Sequence, residues 1–127
     1  MSIRRTLLLC LLTLIAGASF ANAQGIRPWP DDPRYWEFRG QPVLLLGGSP
    51  DDDLFQYPDF EEWLDTLAGC GGNVVRNTMA SSDTTRPWPF AKVGDRYDLN
   101  IFNDRYWNRF ARLLAAADER EIVVQVE

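Results

Sequence analysis

The fold is decided by the stretch Asn73-Val74-Val75-Arg76-Asn77-Thr78, whose β-branched residues predict a buried strand. A helical stretch precedes it. That helix is predicted to end at Gly69, Gly71 and Gly72, because glycine is the usual residue at the C-terminal end of a helix. The apolar side chains of the helix recur at a spacing of three and four residues: Phe60, Trp63, Leu64, Leu67 and Ala68. The chain is therefore predicted to pass from helix to buried strand near residue 72.

Similar elements lie on both sides of this pair. Residues 35–38 and 42–46 flank a turn at Arg39-Gly40 and predict a hairpin, whose second arm is apolar enough to be covered on both faces. Residues 79 to about 100 lack periodicity and predict a long loop. A second helix begins at Asn103 or Asp104, and residues 122–127 predict a third strand. The inner stripe of the second helix is predicted to hold Trp107, Phe110, Leu114 and Ala117.

The order strand, helix, strand, helix, strand predicts an α/β fold with parallel strands and right-handed crossovers. Three such strands with two helices leave one sheet face and both sheet edges uncovered. We therefore expect residues 24–127 to be the N-terminal piece of a larger α/β domain. A self-sufficient small α/β binding module is the alternative.

The N-terminus has the layout of a secretory signal peptide. Arg4 and Arg5 precede an apolar run, and Ala21-Asn22-Ala23 supplies a small-residue cleavage pattern. The run is shorter than the roughly 20 residues of a transmembrane helix, so no stable membrane anchor is expected. The prediction is a signal peptide over residues 1–23, cleavage after Ala23, and a secreted or periplasmic protein.

Composition excludes several kinds of chemistry. The 127 residues hold 18 acidic and 13 basic side chains, so the formal net charge is −5, which disfavours a nucleic-acid partner. The chain has no histidine, which removes serine–histidine and cysteine–histidine catalysis and histidine metal sites. Cys70 would be the one cysteine left after cleavage, so no intrachain disulfide can form. We expect no metal and no cofactor.

Arg76 is the first candidate site residue, because a charge on an otherwise apolar strand must be paired or face a cavity. It lies near the carboxyl end of the strand, where parallel α/β domains bind ligands. A structural ion pair between layers is the alternative. Asn77 beside it would offer donors and acceptors to a hydroxyl-rich ligand if it faces the same cleft.

The remaining candidates come from the loops and the last strand. Ser49 follows Gly47-Gly48, and after Pro50 comes a run of three aspartates, Asp51–Asp53, which is typical of a solvated acidic turn rather than a metal site. Trp88, between two prolines, is either a flat platform for a sugar ring or, with Phe90, a local hydrophobic lid. Glu127 shares a strand face with Gln125 at the end of the third strand.

Taken together, residues 35–49, 71–77 and 88–90 resemble the N-terminal third of secreted bacterial TIM-barrel glycoside hydrolases of the cellulase-like group, glycosidase clan A. In that group an R-G-x-P hairpin leads into strand one, and an N-x-V-R strand two carries an arginine at the base of the active site. That arginine corresponds to Arg76.

The resemblance implies a truncated (β/α)8 TIM barrel, with about its first three βα units preceded by a β-hairpin. It also implies a carbohydrate substrate and retaining hydrolysis by two glutamates beyond Glu127, so that the chain alone is inactive. Arg76 would orient the nucleophile, and Ser49, Asn77, Trp88 and Glu127 would shape the sugar site. A non-catalytic glycan-binding protein is the alternative.

The chain departs from that group at Glu121, where a glycine commonly stands between the second helix and the third strand. An L-residue is expected to strain a left-handed cap at that position.

Overall fold

The computed structural model describes residues 25–79 and 85–127. The predicted signal peptide at residues 1–23 and residues 81–84 of the polar loop lie outside the described residues. The chain divides into two compact units, one that ends at Val43 and one that comprises Leu44–Glu127.

The first unit holds a three-stranded antiparallel sheet of β1 (Arg27–Pro28), β2 (Trp36–Phe38) and β3 (Gln41–Val43). The turn between β2 and β3 has positive φ at both central residues, 50° at Arg39 and 77° at Gly40, which matches the twist of a two-residue hairpin. The predicted leading hairpin is confirmed, with Trp36 paired to Val43.

Among the residues that the structure describes, the second unit contains two helices and two separate sheets. Its elements are α1 (Phe60–Gly69), β4 (Val74–Asn77), β5 (Phe90–Val93), β6 (Arg96–Phe102), α2 (Asp104–Glu119) and β7 (Val123–Val126). Strands β4 and β7 pair in parallel from Val74↔Val123 to Asn77↔Val126. A short 3-10 turn at Leu54–Gln56 packs with the helices against these strands. The parallel pair carries the candidate site.

The core lies between the helices, the 3-10 turn and the parallel strands. Its buried apolar residues are Leu54, Phe55, Phe60, Leu64, Val75, Tyr106, Leu113, Ala116, Ala117 and Ile122. The predicted stripe of α2 is confirmed at Ala117, which is buried, and at Trp107 and Phe110, which pack against the core. It was wrong at Leu114, which is 41% exposed, while Leu113 is buried instead and the buried Tyr106 was missed. Tyr106 reaches the core because its hydroxyl donates a hydrogen bond to the Met79 carbonyl.

The prediction of a truncated TIM barrel with three βα units is wrong. Within residues 25–79 and 85–127 the sheets are small, mostly antiparallel and unclosed, and the fold is a small mixed α/β arrangement. The proposed first barrel strand, residues 42–46, is divided: its first two residues belong to β3, and Leu44 and Leu46 are exposed. Further along the chain, Gly47 forms one parallel bridge to Val74, without a strand of its own.

The predicted loop from residue 79 to about residue 100 is also wrong in part. Strands β5 and β6 form an antiparallel hairpin there, with an irregular register between Phe90 and Ala91. The turn between them includes Gly94, whose φ is +61°. The bulge hides the period-two alternation by which a strand is recognised.

The strained cap at Glu121 is confirmed, since its φ is 56°.

No helix among residues 25–79 and 85–127 has both the length and the apolar character needed to cross a membrane.

Candidate functional site

Arg76 is the centre of a polar cluster at the carboxyl end of the parallel pair. Its Nη2 lies 2.6 Å from Asp52 Oδ1, and its Nη1 lies 3.6 Å from Glu127 Oε2. The Arg76 side chain is 49% exposed. One guanidinium thus holds two carboxylates while part of its donor surface stays open to solvent.

Glu127 extends this cluster along β7. Gln125 Nε2 donates a hydrogen bond to Glu127 Oε1 at 2.7 Å, which the shared strand face predicts. The Gln125 backbone is in register with Arg76 on the neighbouring strand. We call Asp52, Arg76, Gln125 and Glu127 the polar edge. The structure therefore brings Arg76 and Glu127 together, as expected from two parallel strands that end at one side.

Ser49 lies next to Arg76, but its hydroxyl serves the backbone. The Oγ atom donates to the Arg76 carbonyl and accepts from the Arg76 amide at 3.0 Å. These two bonds satisfy the Arg76 backbone groups on the side of β4 where residues 44–49 form no strand. Ser49 therefore positions Arg76 instead of presenting a hydroxyl to a ligand.

Asn77 points into the protein, away from the polar edge. The residue is fully buried, its Oδ1 accepts from the Phe55 amide at 3.1 Å, and its Nδ2 donates to the Thr78 carbonyl at 3.0 Å. Because side chains alternate along a strand, Arg76 and Asn77 face opposite sides of β4. Asn77 thus fixes the 3-10 turn and has little hydrogen-bonding capacity left for a sugar.

The acidic turn is built around Arg86. Its Nη2 pairs with Asp51 Oδ2 at 2.9 Å, and its Nη1 pairs with Asp53, which is buried. The hydrogen bond from Arg86 lowers the pKa of the Asp51 carboxyl, against a smaller opposing effect of burial. The expected solvated turn is therefore wrong for Asp53, whose charge is neutralised inside the protein.

Trp88 lies just before β5, and its ring contacts a residue of β6. Its ring is 38% exposed and contacts the ring of Tyr97, with 5.8 Å between centroids. Phe90 instead stacks on Phe102, so the two aromatic residues of the loop do not form one lid.

Sequence reasoning missed three residues of these sites. Asp52 is one of three identical neighbours, and only the tertiary structure distinguishes the one that reaches Arg76. Asn73 binds the segment before the site, through Oδ1 to the Leu46 amide at 2.8 Å and Nδ2 to the Leu44 carbonyl at 3.0 Å. Tyr97 was placed in a loop, although the nearby Gly94-Asp95 pair is a usable turn signal.

The polar edge offers hydrogen-bond donors and acceptors but no metal-binding set. In the described ranges, no three His, Cys, Asp or Glu side chains come together as metal ligands. Both Glu127 oxygens are engaged, one by Gln125 and one by Arg76. Planar guanidinium, amide and carboxylate groups on one exposed edge can bind a ligand with several hydroxyl groups.

Comparisons of the chain with protein-family models and with curated proteins find no match.

Proposed function

We propose that the chain recognises carbohydrate through the polar edge, as part of a secreted protein of the glycoside-hydrolase type, and that the edge binds the sugar without cleaving it. The observation that carries this proposal is the exposed Arg76 guanidinium between Asp52 and Glu127 at the carboxyl end of two parallel strands. Ligands of α/β proteins bind at this end of the strands.

The chemistry of the edge suits a neutral polyol. Asp52 and Glu127 supply acceptors, and Arg76 and Gln125 supply donors, so neighbouring hydroxyl groups of a sugar find both partners they need. The charges of Arg76 and of the two carboxylates partly cancel, so the edge attracts neither a strong anion nor a strong cation. The resemblance to secreted glycoside hydrolases supports the same class of ligand.

Binding without cleavage follows from the way in which the carboxylates are used. Glycoside hydrolysis by two carboxyl groups needs one of them as a proton donor and the other as a nucleophile or base. At the polar edge both carboxylates lie on the same Arg76 guanidinium, instead of flanking a space in which a scissile bond could sit between them. Neither group is placed to donate a proton to a leaving oxygen.

The test measures binding of soluble gluco-, xylo-, manno- and arabino-oligosaccharides to the full chain by calorimetry. We expect Arg76→Gln to weaken binding about tenfold or more, the loss typical of a charge-assisted hydrogen bond. Arg112→Gln is the matched control, because Arg112 makes a similarly exposed ion pair with Glu61 at 2.7 Å on the helices.

Two results would contradict the proposal. One is an affinity that is the same in the wild-type chain and in Arg76→Gln. The other is release of reducing sugar by the full chain that disappears in Arg76→Ala, since this would make the edge catalytic.

A further inference from the structure

The aromatic pair Trp88 and Tyr97 forms a second exposed surface of the second unit. Their ring centroids are 5.8 Å apart and their planes are inclined by 38°. Trp88 is 38% exposed and Tyr97 is 44% exposed. Large rings that stay this exposed while touching each other offer an apolar surface to a ligand.

The backbone that carries Trp88 is anchored at several points. Asn103 Nδ2 donates to the Trp88 carbonyl at 2.8 Å, and the Asn103 amide donates to the Pro89 carbonyl at 2.9 Å. Trp107 Nε1 donates to the same Pro89 carbonyl at 2.9 Å. Pro87 and Pro89 further restrict the chain on both sides of the ring. The ring is thus held in place before any ligand arrives, which lowers the entropy cost of binding.

Phe90 does not cover this surface. It stacks on Phe102, with 5.6 Å between centroids, and Phe102 in turn contacts Trp107. The neighbouring aromatic side chains are therefore used in a separate cluster. Of the two roles that the sequence leaves open for Trp88, the exposed platform agrees with these contacts and the lid with Phe90 does not.

A hydrogen-bond donor lies beside the rings. Lys92 is the direct cross-strand partner of Tyr97 in the β5–β6 hairpin, so both side chains project from the same face. The lysine ammonium has three donors, and the tyrosine hydroxyl can donate or accept. The surface thus combines an aromatic face with polar groups at its border.

Building on the proposed function, we propose that Trp88 and Tyr97 stack against a sugar ring of the bound carbohydrate while Lys92 donates hydrogen bonds to its hydroxyl groups. A pyranose presents C–H groups on its face and hydroxyls around its rim. The positively polarised C–H groups match the negative face of an indole or phenol ring. Lys92 then contacts the rim.

The experiment uses the full chain and the same gluco-, xylo-, manno- and arabino-oligosaccharides, two to six sugar units long. Calorimetry is combined with saturation-transfer NMR in which the aromatic protons of the protein are irradiated. We expect Trp88→Leu and Tyr97→Leu each to weaken binding about tenfold, the scale of a lost ring-stacking contact. Tyr97→Phe keeps the ring and is expected to bind within about threefold of the wild-type chain.

Trp36→Leu is the matched control, because Trp36 on β2 is similarly exposed, at 41%, and does not belong to the Trp88–Tyr97 pair. Its affinity is expected to equal that of the wild-type chain. Should Trp88→Leu fail to fold, Trp88→Phe and the NMR experiment on the wild-type chain decide the matter. Transfer of saturation from the protein's aromatic protons to the C–H protons of the sugar supports stacking. A sugar that binds but receives no saturation from these protons overturns the stacking proposal.

The outcomes separate this proposal from the polar edge. Binding that is lost in Arg76→Gln but unchanged in both ring variants overturns the platform and leaves the proposed function standing. Binding that is lost in the ring variants but unchanged in Arg76→Gln supports the platform and overturns the role of the polar edge. A wild-type chain that binds none of the oligosaccharides overturns both.

Discussion

The hydroxyl of Ser49 binds both backbone polar groups of Arg76, donating to its carbonyl and accepting from its amide. The Ser49 side chain thereby makes the hydrogen bonds that a neighbouring strand would otherwise make to Arg76. The guanidinium of the same Arg76 pairs with Asp52 and Glu127. The position of the polar edge therefore depends on a serine that makes no ion pair itself.

Ser49→Ala is expected to lower the free energy of unfolding by about 1–2 kcal/mol, because it leaves two backbone groups of Arg76 without protein partners. Urea denaturation of the full chain measures the change. Thr66→Ala is the control, since the Thr66 hydroxyl donates to the Glu62 carbonyl on an exposed helix face. A loss for Ser49→Ala no larger than for Thr66→Ala would show that the two bonds contribute little.

Gly47→Ala is expected to destabilise the chain by about 2 kcal/mol or more, the scale of forced overpacking. A Cβ at this residue would lie far inside contact distance of the Val74 backbone carbonyl, with which Gly47 forms its bridge. Gly48→Ala provides the matched control, because a Cβ there meets no atom within 4 Å. Thermal unfolding of both variants gives the comparison, and equal midpoints would contradict the close approach.

Asp51 is expected to make stability depend on pH in the acid range. The Arg86 hydrogen bond lowers its pKa in the folded chain below the ordinary value of 3.8. A carboxyl whose pKa is depressed by folding stabilises the protein above its unfolded pKa, and this contribution is lost as the pH falls through the folded pKa. The affected window therefore lies below about pH 4.

The measurement is urea denaturation of the wild-type chain and Asp51→Asn at about pH 7 and about pH 2.5. The difference in unfolding free energy is expected to be about 1 kcal/mol at neutral pH and to shrink in acid. Asp31→Asn serves as the control, because Asp31 is an exposed aspartate outside the acidic turn that Arg86 holds. A difference that stays constant with pH would argue against this linkage.

Glu121→Gly is expected to stabilise the chain by about 0.5–1 kcal/mol, since glycine adopts the φ of 56° at this position without a steric penalty. Glu119→Gly, at the last residue of α2, is expected to have the opposite sign because glycine disfavours helix. Differential scanning calorimetry records both midpoints. A lower midpoint in Glu121→Gly would mean that contacts of the Glu121 side chain outweigh the backbone strain.

The elements predicted well are those whose pattern is local. Both helices follow from the spacing of apolar residues, and β4 and β7 follow from short β-branched runs. The β5–β6 hairpin was missed because a bulge between Phe90 and Ala91 breaks the alternation. On α2, Tyr106 was missed because it combines a buried ring with a hydroxyl that finds a backbone partner.

The only part of the candidate site that could be predicted from the sequence is the part that the direction of the strands determines. Parallel strands that end at one side account for the meeting of Arg76 and Glu127. The prediction that Asn77 shares the sugar site with Arg76 overlooked the alternation of side chains along a strand, which places neighbouring residues on opposite faces. The choice of Asp52 among three aspartates, and the contact of Trp88 with Tyr97, depend on tertiary packing that no spacing in the sequence encodes.

The amide side chain of Asn73 has a consequence for self-association. By binding the Leu46 amide and the Leu44 carbonyl, it occupies backbone groups that a strand of another molecule would otherwise use. Residues 44–46 thus shield one border of the parallel pair without forming a strand that could itself be extended. Asn73 therefore contributes to protecting this border against strand addition from another molecule, together with the Gly47 bridge and the Ser49 hydroxyl further along β4.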